Sequence, residues 1–242
     1  MPGHEPYPAM NEDERLTQAF YEDLEGGRLG LLSMVARVVF DLSGHFYAGT
    51  FITKSRLKPY DRILEVGCGT ASILIRVRDI RFRHPGSKCY GIDTSFTMLE
   101  RARRNICRRD LGGSVFIAAA PASSLPFRDD SFSVVLLAFV IKHLSDKTLT
   151  SALREANRVL VPGGRLVMWE FQPSSMKWAN RYVYSVTRAI KLRNREEVAS
   201  MLEKTPFSNP EPFTIIAPWM PTRTFGLVAT KPEITINDMK EK

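Results

Sequence analysis

The chain is short of cysteine, with three in 242 residues: Cys68, Cys89 and Cys107. An odd number set in apolar stretches argues against a disulfide framework. It fits reduced, buried thiols and a cytoplasmic location. Cys/His spacing of the kind that clasps a metal is absent, so no metal is expected. Apolar runs are also short. The longest, Phe132–Ile141 and Met34–Phe40 (broken by Arg37), are strand- or helix-sized, well below the ~18–20 residues of a membrane span. The first ten residues carry Pro and Glu and no apolar core, which excludes a signal peptide there. There are no internal repeats. The 44% hydrophobic content is enough for one full core.

What is present centres on Ile63-Leu64-Glu65-Val66-Gly67-Cys68-Gly69-Thr70-Ala71. An apolar strand carries an acid near its end, and a small-residue turn then opens a helix. Gly67 and Gly69 lack a Cβ, so the main chain can turn tightly and pass close to a ligand. A dinucleotide fingerprint needs a third glycine in the frame G-x-G-x-x-G. Here that position is Ser72. A carboxylate in the turn suits the ammonium of S-adenosylmethionine (SAM) better than a pyrophosphate. The alternative is a tight turn in some other α/β protein.

Cys89–Asp93 reads as the next strand, closed by an acid 28 positions after Glu65. That interval holds a helix over 71–80 and a loop through Pro85-Gly86. Asp93 could accept from both hydroxyls of a ribose, or it could simply cap the helix that Thr94-Ser95 begins. Downstream lie the polar loop Ala122–Phe132 with its Leu125-Pro126-Phe127 anchor, and the apolar run Phe132–Ile141. A Pro162-Gly163-Gly164 turn between a helix and a strand follows, then a late strand at Thr224–Thr230.

In this order, the segments resemble the class I SAM-dependent methyltransferases, within the methyltransferase type 11 group, over residues 15–232. Ser145-Asp146-Lys147, Ala152-Leu153-Arg154, Arg158–Leu166 and Glu170-Phe171 are loosely similar to the ubiquinone/menaquinone C-methyltransferases. The resemblance implies SAM as cofactor and S-adenosyl-L-homocysteine as product. It implies a cofactor site at Glu65, Gly67, Cys68, Gly69, Asp93, Thr94, Met98, Ala120, Ala122, Ser123 and Phe139. Ala71 stands where the family usually has glycine, and its small size is expected to suffice. Ala120-Pro121-Ala122 replaces the usual Gly-Asp-Ala, so adenine would be read by backbone near Ala122 and by apolar walls. Ser133 replaces an aspartate, and Lys142-His143 an Arg-Asn pair of the quinone branch.

The expected fold is α/β: a Rossmann-like, doubly wound seven-strand sheet, mostly parallel, with an antiparallel C-terminal hairpin (Phe213–Ala217 and Thr224–Thr230). Ligands of such sheets bind at the carboxyl ends of the strands. Residues 1–50 read as a tail and helical lid, 51–232 as the core and 233–242 as a flexible tail. Asn11 with Glu14 reads as a capping box for a helix to about Leu24, closed by Gly26-Gly27. A second helix, about 29–42, brings Leu31, Leu32, Met34, Val35, Val38, Val39 and Phe40. Its apolar character favours a hydrophobic acceptor and peripheral membrane contact. Further helices are expected at 176–190 and 195–202.

Methyl transfer from a sulfonium depends mainly on alignment and exclusion of water. Few catalytic side chains are therefore expected. His143, after the fourth strand, is the candidate base, or else it caps a helix or orients a loop. Tyr21 matches a family tyrosine near the methyl group, or else it is core. Lys142 could pair with an anionic acceptor. Net charge is +8, with arginines crowded at 76–83 and 101–109. These form either an RNA-facing patch or a solvated face. Neither the Asn/Asp-Pro-Pro-aromatic run of base-amino methylases nor a Pro-Cys nucleophile follows the fourth strand, so nucleic acid is not the expected partner. RNA methylation and a non-catalytic partner-binding module remain the alternatives.

Overall fold

The computed structural model describes residues 10, 12–23, 48–81, 88–208, 210–215 and 222–233. The helices are α1 (Glu12–Asp23), α2 (48–54), α3 (Ser72–Arg81), α4 (Phe96–Arg108), α5 (Asp146–Val159), α6 (Lys177–Thr187) and α7 (Arg195–Glu203). The strands are β1 (Ile63–Val66), β2 (Cys89–Asp93), β3 (Val115–Ala119), β4 (Phe132–Ala138), β5 (Leu160–Phe171), β6 (Glu211–Phe213) and β7 (Thr224–Thr230). A 3-10 turn, Ile141–His143, follows β4.

The strands form one seven-stranded sheet in the order β3-β2-β1-β4-β5-β7-β6. Pairs from β3 to β5 are parallel, and β7 runs antiparallel to both β5 and β6. The strand order reverses between β1 and β4, so their carboxyl ends frame the crevice where such sheets bind ligands.

Alternating side chains supply two apolar layers. Leu64, Val66, Val135 and Leu137 pack towards α5 and α7. Ile63, Val134 and Leu136 pack towards α3, α4 and Phe51 and Ile52 of α2. β4 is buried throughout except at Ser133, as a strand covered on both faces should be. α2 places Ala48, Phe51 and Ile52 in the core, so this layer begins upstream of residue 51.

Several expectations are adjusted. β3 is counted among the seven expected strands without bounds; it is the apolar run Val115–Ala119, and as an edge strand it leaves Phe116 and Ala118 exposed. The Pro162-Gly163-Gly164 turn is a bulge inside β5. Leu160 already pairs with Phe132, and regular pairing resumes at Val134 and Arg165. α6 stops at Thr187, where Arg188 takes a left-handed conformation with φ 50°. The first hairpin strand is Glu211–Phe213 rather than 213–217. Cys68 and Cys89 are buried, but Cys107 is exposed. α4 buries Met98, Leu99, Ala102 and Ile106, and Cys107, one residue on, is rotated to solvent. Asn11, Gly26-Gly27, the 29–42 stretch with Leu31, Leu32, Met34, Val35, Val38, Val39 and Phe40, and residues 234–242 lie outside the described residues.

Candidate functional site

The turn after β1 holds three positive-φ residues: Gly67 (71°), Gly69 (50°) and Ala71 (60°). Each has a different reason to be small. A Cβ on Gly67 would sit 2.4 Å from Val140 Cγ2, so glycine lets the segment after β4 close onto the turn. A Cβ on Gly69 would meet nothing within 4 Å, so this glycine faces open space. Ala71 is fully buried yet left-handed. Size was the wrong criterion there: backbone conformation is what favours glycine, and alanine carries strain of about 1–2 kcal/mol. Cys68 points inward, since a Cβ on Gly91 of β2 would lie 2.8 Å from its Sγ. Cys68 N–H donates to the Ile92 carbonyl at 2.9 Å.

Asp93 ties this turn to the second strand. One carboxylate oxygen accepts from Gly69 N–H at 2.8 Å and the other from Ser95 N–H at 2.9 Å. Ser95 in turn caps α4 by accepting from Met98 N–H. The cap of α4 is therefore Ser95 and not Asp93, which holds the N–H of the capping residue. The Thr94 N–H also bonds to the Asp93 carboxylate, which leaves one oxygen with a second lone pair for a ligand hydroxyl. Thr94 is half-buried beside it and Met98 is buried.

Glu65 is 2% exposed, and its Oε2 has no hydrogen-bond partner. Burial, then the Asp93 charge, hold its carboxyl well above the ordinary carboxylate range, while a bond from Leu74 N–H at the start of α3 opposes them. Burial likewise raises Asp93, against bonds from the Ser95, Gly69 and Thr94 N–H groups. Two desolvated carboxylates beside an open glycine make a site for a cation with hydroxyls. The orphaned Oε2 and the free space at Gly69 fit the ammonium and ribose of SAM.

The next loop completes the wall. Ala120 N–H donates to the Asp93 carbonyl at 3.1 Å, and Ala120, Pro121 and Ala122 are buried. Ser123 is held by Glu14 of α1, whose carboxylate accepts from its N–H (3.2 Å) and hydroxyl (2.9 Å). The capping box expected of Asn11 and Glu14 rests on a residue outside the described ones, and the Glu14 oxygens also reach across the fold. No local pattern could have shown this, because the partners are 109 positions apart. Tyr21 lies in α1, and its side chain falls outside the described residues.

Beyond β4, Phe139 is left-handed (φ 56°), and its N–H donates to the Trp169 carbonyl at 2.8 Å. Its ring lies 4.3 Å from Trp169 and 4.7 Å from Phe171, centroid to centroid. Lys142 does not present a cation to an acceptor. It is 3% exposed, its Nζ lies 3.5 Å from Glu170, and it donates to the Phe139 carbonyl. The Phe139 and Phe171 rings cover the same ammonium. Burial lowers its pKa, opposed by Glu170. His143 is 5% exposed. Burial and the Lys142 charge hold it well below the usual imidazole range, against a hydrogen bond with the Arg188 backbone. It is therefore neutral and linked to the end of α6.

One departure from the family pattern, Ser133, lies elsewhere. Ser133, at the amino end of β4, donates to Asp61 at 2.8 Å, and Arg165 pairs with Asp61 at 2.8 Å. Asp61 thus supplies a carboxylate that position 133 lacks. Arg158 clamps the Leu-Pro-Phe loop, donating to the Phe127 and Leu125 carbonyls at 2.8 and 3.1 Å. Of the arginines on α4, Arg103, Arg104, Arg108 and Arg109 are exposed, and Arg109 pairs with Asp79 of α3.

Residues 64–168 match the family described as "Methyltransferase domain". The ubiquinone/menaquinone biosynthesis C-methyltransferase UbiE of Geotalea daltonii is 33% identical over 166 residues, covering 68% of this chain and 66% of that protein. The demethylmenaquinone methyltransferase of Thermus thermophilus is 39% identical over 125 residues, 52% of this chain and 53% of that protein. The chain thus spans about half to two thirds of the length of such curated relatives. Among solved structures, the [4+2]-cyclase SpnF superposes with a TM-score of 0.64 at 19% identity, covering 78% of this chain and 81% of that one. A geranyl diphosphate methyltransferase in complex with GPP and sinefungin gives 0.63 at 15% identity, covering 76% of each chain. These likenesses concern the fold. With the acid-x-Gly-x-Gly turn, the Asp93 anchor and the matched domain together, the chain belongs to the class I SAM-dependent methyltransferases.

Proposed function

We propose that the protein transfers a methyl group from SAM to a small hydrophobic acceptor of quinone, phenol or lipid-like character. The observation that carries the cofactor half is the desolvated Glu65–Asp93 pair, whose Asp93 accepts from the N–H of Gly69, where a Cβ would meet nothing within 4 Å. When bound, SAM supplies an electrophilic methyl group on a positively charged sulfur. Glu65 takes the ammonium, Asp93 a ribose hydroxyl through its remaining lone pair, and the Ala120–Ser123 backbone with Met98 the adenine. Gly67, Cys68 and Thr94 shape the turn that carries these groups. Phe139 walls the reacting side and, with Trp169 and Phe171, makes it aromatic and dry. A dry wall strengthens every charge interaction inside and favours an apolar acceptor. The names of the quinone-methylating relatives point the same way.

His143 is the candidate base by its place in the turn after β4, although burial and the Lys142 charge disfavour the imidazolium it would become. Tyr21 is assigned to the methyl side of the site. The SpnF likeness shows that this fold also carries other chemistry, and Pro121 in the adenine loop favours a binding-only reading as runner-up.

The test is calorimetric titration with S-adenosylhomocysteine. The wild type should bind at micromolar level, and Asp93→Ala should weaken binding roughly 100-fold, about 2.7 kcal/mol. Labelled SAM is then offered with a prenylated quinol and with a polar catechol. Transfer to the polar compound alone would refute the acceptor class, and absence of binding would refute the cofactor assignment.

A further inference from the structure

Four of the seven large hydrophobic residues exposed among the described residues cluster within fifteen positions: Met176 (50%), Trp178 (61%), Tyr184 (38%) and Ile190 (40%). They sit on or beside α6. This helix buries one line, Ala179 and Val183, four residues apart. The opposite line carries Lys177, Arg181, Tyr184 and Arg188, all exposed, with Trp178 on its flank.

Charge here has one sign. From 171 to 195 there are six cations and no Asp or Glu. Lys191 and Arg193 are matched by Asp146, at 3.0 and 2.8 Å. Lys177 and Arg181 stand at the open start of the helix, with no carboxylate from their own segment to offset them.

We propose that the outer face of α6 docks on an anionic lipid bilayer. A polyanion such as RNA would take the cations but leave Met176 and Ile190 in water. A bilayer takes both kinds of group. Apolar and aromatic side chains enter the boundary between headgroups and acyl chains, while Lys177 and Arg181 meet the anionic headgroups. No described helix is long and apolar enough to cross a membrane, so the contact is peripheral. The surface is also in the right place. The N–H groups of Ile190 and Lys191 donate to the Lys142 carbonyl at 2.8 and 3.1 Å. The segment after α6 is thereby fastened to the turn that follows Phe139, and docking turns that wall of the crevice towards the lipid. The inference rests on the hydrophobic acceptor proposed above.

The test uses the full chain and vesicles of phosphatidylcholine with and without phosphatidylglycerol, followed by flotation. The wild type floats only with the anionic lipid. Lys177→Gln/Arg181→Gln lowers the partition roughly 25-fold, about fivefold per cation. Trp178→Ala lowers it about tenfold. All variants still bind S-adenosylhomocysteine, because none touches the glycine turn. Docking is overturned if the wild type binds S-adenosylhomocysteine but does not float, or if the variants float like the wild type. Loss of S-adenosylhomocysteine binding by the wild type would instead overturn the cofactor assignment, leaving flotation to decide docking alone.

Discussion

Gly67 and Gly69 lie two residues apart in one turn, yet they should fail in different ways. A Cβ at Gly67 meets Val140 Cγ2 at 2.4 Å and Cβ at 2.9 Å, in a backbone held at φ 71°. Left-handed strain contributes about 1–2 kcal/mol. Forcing a side chain into a packed contact adds about 1–3 kcal/mol. Gly67→Ala should therefore destabilise the fold by about 2–5 kcal/mol. Val140→Ala alone removes two partly buried methyl groups and costs about 1–2 kcal/mol. In the double variant the 2.4 Å contact with Cγ2 is gone and only the 2.9 Å contact with the Val140 Cβ remains, so the two losses should not add. The expected coupling is about 1–3 kcal/mol in favour of the double variant. At Gly69 only the strain applies, because a Cβ there meets nothing. Gly69→Ala should lose about 1–2 kcal/mol of stability. Its Cβ occupies the cofactor's space, however, so affinity for S-adenosylhomocysteine should fall at least tenfold, about 1.4 kcal/mol. Urea unfolding of the four Gly67/Val140 proteins, with calorimetry on Gly69→Ala, measures all of this. Additive losses at Gly67 and Val140 would refute the contact. Unchanged affinity in Gly69→Ala would refute the assignment of the open space.

The remaining predictions concern buried charge. Glu65 has its carboxyl raised on folding by burial and by Asp93, so its contribution to stability is complete below its unfolded value of 4.5 and is lost as pH rises through the folded value. Glu65→Gln should thus gain stability relative to wild type between pH 5 and pH 8, and an unchanged difference in urea midpoint across that range would exclude it. Lys142→Met leaves the Glu170 carboxylate buried without its cation and should cost about 3–5 kcal/mol, most of it recovered in Lys142→Met/Glu170→Gln. If thermal unfolding shows the double variant no better than the single one, the ammonium is not the partner that Glu170 depends on.

What could be read from the sequence, and what could not, follows the range of the forces involved. β1, β2, β4 and β7 are apolar runs bounded by acids, glycines or polar loops, and their pattern is local. The Glu65–Gly69 turn is local as well. β3 is implied only by the count of strands; its Val115–Ala119 run is apolar but short, and no acid or glycine turn of the kind that closes β1 and β2 marks its end. The positive φ of Ala71 and Phe139 was hidden because neither residue is glycine, and only the surrounding packing imposes that backbone. The Glu14–Ser123, Asp61–Ser133 and Arg158–Phe127 ties join residues 109, 72 and 31 positions apart. Such partners are chosen by the finished sheet, and no spacing rule announces them. Lys142 could be read as available for an acceptor only because its partner, Glu170, lies on the neighbouring strand.

The place of β7 has a consequence for synthesis. It is the last of the described strands, yet it sits inside the sheet between β5 and β6. Among the described residues β6 pairs with β7 alone, and one long flank of β5 stays unpaired until residues 224–230 arrive. A chain emerging from the ribosome can therefore assemble β1 to β4 with their helices early, while the flank of β5 remains exposed. An unpaired strand flank is a template for association with other chains. A nascent chain stalled before residue 224 would thus have a finished cofactor turn and an adhesive edge. Its dependence on a chaperone should be greatest in the interval before the final strand slots into place.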